Sequence, residues 1–80
     1  MSYIWTRNNW KLEYTLAGLK MEYRDARLLY SALQLAQTQT AKERDALKEL
    51  RAILRTALDG ASMPVLLPLK TLDLIEILCL

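Results

Sequence analysis

Arg44, Lys48, Arg51 and Arg55 recur at steps of four, three and four residues, and Lys20, Arg24 and Arg27 at steps of four and three. On helices each set falls on one face, where a line of cationic groups can neutralise the phosphates of RNA or DNA. Acidic residues are interleaved with them: Glu43, Asp45 and Glu49 near the first set, Glu22 and Asp25 near the second. With eleven basic residues against nine acidic, the net charge is only +2. An ordinary solvated helix face is therefore the leading reading of both stripes, and a nucleic-acid-binding helical dimer the alternative. Aligned bases at i,i+4 repel one another, a mild cost that hints at an acidic partner.

Other chemistry is poorly represented. The chain has no histidine, which removes the commonest general base and a frequent metal ligand. Cys79 has no acid–base partner nearby in the sequence and falls in an apolar stretch, so it reads as a buried, inert thiol. The carboxylates are dispersed rather than gathered as ligands. These features predict a protein that is not an enzyme and holds no metal or cofactor.

Positioning these side chains is a matter of helices. Leu12, Leu16, Leu19, Tyr23, Ala26, Tyr30, Leu33 and Gln37 alternate at steps of four and three, a heptad seam. The seam predicts an all-α fold with a long antiparallel helical hairpin and a short C-terminal helix. Residues 1–9 form an arm, the first helix spans 10–38, and Gly18 is tolerated inside it. Thr40-Ala41-Lys42-Glu43 reads as a capping box that opens a second helix over 41–58, with Gly60 beyond its end. A linker over 61–68 holds both prolines, and a third helix covers 69–79. Tyr23 and Tyr30, on the seam, read as core.

A first helix of about 28 residues, roughly 42 Å long, overshoots a second of about 27 Å. Leu12, Leu16 and Leu19 would then be left uncovered. Hydrophobic residues make up 52% of this 80-residue chain, which adds to the surplus of apolar surface. Both features point to a homo-oligomer, most simply a dimer, and to a further protein partner. The partner-binding candidates are Trp5 and Trp10 at one end and Met21, Leu28 and Leu35 on the back of the first helix. Leu69, Leu72, Leu74 and Leu78 in the tail complete the set. Leu66, Leu69, Leu72 and Leu74 also have the spacing of a leucine-rich nuclear export signal, which a docking amphipathic helix explains equally well.

Tyr3-Ile4-Trp5, Trp10, Tyr14, Leu19, Ala26-Arg27-Leu28-Leu29 and Leu33 resemble the helical segment that precedes the catalytic core in many Fic-type AMP-transferases. Ser31 stands where that segment usually has glycine, and the Trp10–Tyr14 spacing is one residue short. Thr56, Asp59 and Gly60 are the nearest match to the inhibitory motif of that family, at shorter spacing and with aspartate for glutamate. The core motif of the family is absent. The resemblance implies a partner or regulator of such an enzyme.

A lone cysteine, no apolar run near the start and no run of 18 apolar residues predict a cytoplasmic protein without a membrane span. The function these features predict is non-catalytic protein–protein interaction, as a small adaptor, inhibitor or assembly factor.

Overall fold

Trp10, Leu12 and Tyr14 alternate with Lys11, Glu13 and Thr15, and Leu19 and Met21 flank Lys20. That period of two belongs to a strand with one buried face, and it prevails over the heptad spacing in the first quarter of the chain. The computed structural model describes residues 4–7, 10–60 and 64–79, with residues 4–7 as backbone. In it β1 (Ile4–Arg7), β2 (Trp10–Thr15) and β3 (Gly18–Met21) form an antiparallel meander. α1 (Tyr23–Leu35) and α2 (Ala41–Asp59) follow. The chain then returns to the sheet as β4 (Val65–Leu67) and ends in α3 (Lys70–Ile77). Sheet order is β1-β2-β3-β4, with β4 antiparallel to β3 and Leu19 opposite Leu67.

The fold is therefore α+β, which corrects the expectation of an all-α long helical hairpin. The first helix covers 23–35 rather than 10–38, because residues 10–21 pair as strands. Leu12 and Leu19 are buried, but under the helices of the same chain. Leu16 sits at the tip of the β2–β3 turn, fully exposed, and is no part of a seam. Residues 4–7 of the expected arm are a strand. The expected linker contains β4, bracketed by Pro64 and Pro68, which cannot donate to a ladder and so confine the strand to three residues.

Each helix has a local reason to form where it does. α2 opens on the Thr40–Glu43 capping box: the Thr40 hydroxyl accepts from the Glu43 amide at 3.1 Å, and the Glu43 carboxylate accepts from the Thr40 amide at 3.2 Å. α1 ends at Ala36, whose extended backbone breaks the helical ladder. α1 and α2 pack against each other antiparallel, since Leu33 near the end of α1 meets Arg51 while Tyr23 at its start shares a hollow with Asp59 at the end of α2. α1 also packs on β2, and α2 on β4 and α3. Trp10, Leu12, Leu19, Met21, Val65 and Leu67 from the sheet meet Ala26, Leu29, Leu33, Leu47, Leu50, Leu54 and Ile75 from the helices in one core. A fully buried leucine contributes roughly 2 kcal/mol relative to leaving it in water. The core closes within a single copy, so the surplus that pointed to a homo-oligomer no longer has uncovered Leu12 and Leu19 behind it.

Candidate partner-binding surface

The basic stripe of α2 is a consequence of helical spacing, and two of its members, Arg51 and Arg55, face α1. From α1, Tyr23, Arg27, Tyr30 and Ser31 project to the same side at steps of three and four. Between the helices lies an open cleft of about 400 Å³ lined by these four residues with Arg55, Leu58 and Asp59. Arg27 is held in place: its Nη1 donates to the Tyr23 hydroxyl at 3.3 Å, and its guanidinium carbon stands 5.8 Å from the centre of the Tyr23 ring. Stacking of this kind orients a guanidinium while leaving most of its N–H groups outward. Arg27 and Arg55 are both exposed, and neither forms an ion pair among the described residues.

The other predicted cationic residues disperse. Arg44 and Lys48 are exposed and continue the α2 flank away from the cleft. Arg51 points inward and donates to the Leu33 carbonyl through both Nε and Nη2, at 3.1 and 2.7 Å, so it leaves the stripe. Lys20 lies on β3 and pairs with its cross-strand neighbour Glu13 at 3.6 Å. Arg24 faces a separate hollow with Lys11, Glu22, Asp25 and Leu28. The expected stripe of Lys20, Arg24 and Arg27 does not exist, because Lys20 is not on the helix.

The apolar candidates divide as well. Trp10, Met21 and Leu74 are buried core, and Leu72 and Leu78 pack against it partly buried. Leu28, Leu35 and Leu69 remain exposed, at 48%, 84% and 55% of their surface. Trp5 stands opposite Leu12 in the β1–β2 register, and its side chain lies outside the described residues. Leu66, also exposed, borders an open groove with Pro68 and with Ala52, Ile53, Thr56 and Ala57 of α2. Cys79, expected to be buried, is exposed at the end of the α3 turn with φ of 56°.

Thr56 lines the apolar groove while Asp59 lines the cleft, so the two border different hollows. Gly60 caps that helix through its amide to the Thr56 carbonyl at 3.1 Å. Among the described residues no three His, Cys, Asp or Glu side chains gather as metal ligands. No helix is long and apolar enough to cross a membrane, again among the described residues.

Ser31 and Leu58 were not legible as site residues, and Tyr30 and Asp59 read in other roles, as core and as part of the family-like motif, because the cleft needs two helices side by side. The one local hint was the spacing of Tyr23, Arg27 and Tyr30 on a single helix face. Comparison with protein-family models, curated proteins and solved structures finds no match for this chain.

Proposed function

We propose that the chain is a non-catalytic protein-interaction module that holds an acidic segment of another protein on the α1–α2 flank. The observation that carries this reading is the convergence of Arg27 and Arg55 on one cleft with two tyrosines, without an ion-pair partner among the described residues. Arginine and tyrosine dominate protein-binding hot spots, since they combine contact area with directional donors. Lys48 and Arg44 extend the positive surface along α2 and favour encounter with an acidic chain. Leu28 and Leu35, one heptad apart on α1, are exposed apolar side chains outside the cleft, and Leu28 lines the separate hollow with Arg24.

Nucleic-acid binding is the weaker reading on this geometry. Its stripe loses Arg51 to the Leu33 carbonyl, Lys20 to Glu13 and Arg24 to a separate hollow that also holds Glu22 and Asp25. A duplex or single strand needs a continuous track of cations, and the surface offers one cleft with two outlying charges.

The test is binding of a fluorescent glutamate-rich peptide at near-physiological salt. The native protein should bind it, and Arg27→Gln with Arg55→Gln should weaken binding about tenfold. No binding, or equal binding by the double variant, would overturn the reading.

A further inference from the structure

We infer that the cleft between Tyr23 and Arg55 is a phosphate pocket, taking a phosphorylated serine or threonine side chain from the acidic partner segment. This rests on the proposed function and names the ligand of the same site. The first argument is donor count. A carboxylate has two oxygens and is satisfied by a single guanidinium fork. The cleft offers two guanidiniums and the hydroxyls of Tyr23, Tyr30 and Ser31. That set suits a tetrahedral dianion, whose three terminal oxygens accept several charge-assisted hydrogen bonds and whose charge answers two cations.

The second argument is preorganisation. The Tyr23 hydroxyl accepts from Arg27 Nη1, so its own proton is left to donate into the cleft. The ring beneath Arg27 restricts its guanidinium before any ligand arrives, which lowers the ordering cost of binding. Ser31 follows Arg27 by four residues, so its hydroxyl and the guanidinium share one edge of the cleft.

Asp59 is the one acid lining the cleft, and it bears on where the phosphate can lie. Its carboxylate repels a dianion, so the phosphate is placed toward the Arg27 and Ser31 side, with Arg55 reaching it from α2. The peptide on either side of the phosphorylated residue then runs over the open flank toward Lys48, about 10 Å along the helix from Arg55. A peptide fits this arrangement better than a strand of nucleic acid, because one pocket accepts one phosphate and the next cation inward, Arg51, is committed to Leu33.

The experiment compares three peptides of one glutamate-containing sequence, with phosphoserine, glutamate or serine at the centre, by fluorescence anisotropy on the native protein. A single-stranded oligonucleotide serves as the fourth probe at the same salt. The phosphoserine peptide should bind about tenfold more tightly than the glutamate peptide. Arg27→Lys keeps the charge but loses the fork, and should erase that difference. Asp59→Asn should tighten the phosphoserine peptide a few-fold. Equal binding of the phosphoserine and glutamate peptides would overturn the phosphate pocket and leave the acidic-partner reading standing. Failure of all three peptides would overturn both, as would tighter binding of the oligonucleotide than of any peptide. The comparison on the native protein decides the matter even if a variant folds poorly.

Discussion

Arg51, in the middle of α2, donates two hydrogen bonds to the backbone carbonyl of Leu33, eighteen residues earlier, through Nε at 3.1 Å and Nη2 at 2.7 Å. Leu33 lies in the last turn of α1, where its carbonyl accepts only a long bond of 3.4 Å from the Ala36 amide and the helix dipole presents negative charge. α1 has no basic residue in its own last turn. The guanidinium supplied by the neighbouring helix therefore caps α1 and ties the pair together.

Replacing Arg51 tests that tie. Arg51→Met keeps an unbranched stem and removes both donors, and should lower stability by about 1–2 kcal/mol, read from the urea midpoint. Arg51→Lys restores the charge without the planar fork and should fall between the two. A methionine variant with the native midpoint would show that the contact does not hold the helices.

Gly18 carries the second expectation. Its φ is +140°, and a Cβ added there would lie 2.7 Å from the Leu67 carbonyl oxygen. That oxygen belongs to the backbone of β4, so relief requires the β3–β4 pair to separate. Gly18→Ala should cost about 2–3 kcal/mol, combining backbone strain with the clash. Loss of a few degrees or less in the melting temperature would mean that β4 is not fixed against β3 as described.

These two positions show where sequence reasoning succeeded and failed. The Thr40–Glu43 cap was legible because its bonds span three residues, and the α2 basic stripe because helical spacing alone creates it. The N-terminal strands were misread because Leu12 and Leu19 are seven residues apart, as in a heptad, while each also alternates with its neighbours within its own strand, Leu12 with Trp10 and Tyr14 and Leu19 with Met21. Trp10, Leu12 and Tyr14, with Gly18 after them, held the strand signal. β4 has only Val65, Leu66 and Leu67, and its state is set by β3, more than forty residues away in the chain. The turning of Arg51 away from the stripe likewise depends on where α1 ends, which no local pattern specifies.

Thr71 gives an expectation of the opposite sign. It is fully buried in the first turn of α3, and its hydroxyl has no hydrogen-bond partner among the described residues. A buried hydroxyl without a partner carries a desolvation penalty that an isosteric apolar side chain avoids. Thr71→Val should raise stability by about 1 kcal/mol, seen as a higher urea midpoint with an unchanged slope. Thr71→Ser retains the hydroxyl, loses a packed methyl and should be less stable than the native chain. A destabilised valine variant would show that the hydroxyl is satisfied.

The capping box allows the tightest local test, because both partners are named and both bonds are short-range. The Thr40 hydroxyl meets the Glu43 amide, and Glu43 Oε1 accepts from the amides of Gln39 and Thr40, each at 3.2 Å. One carboxylate oxygen thus orders the residues that lead into α2 and two donors that helix geometry would leave open. Thr40→Ala should cost about 1 kcal/mol. Glu43→Ala removes the return bonds and the favourable charge near the helix N-terminus, and should cost about 0.5–1 kcal/mol. Because each residue fixes the other's position, the double variant should cost less than the sum of the two, by about 0.5 kcal/mol in a double-mutant cycle. Strict additivity would mean that the two caps act independently and that the reciprocal box adds nothing beyond its separate bonds.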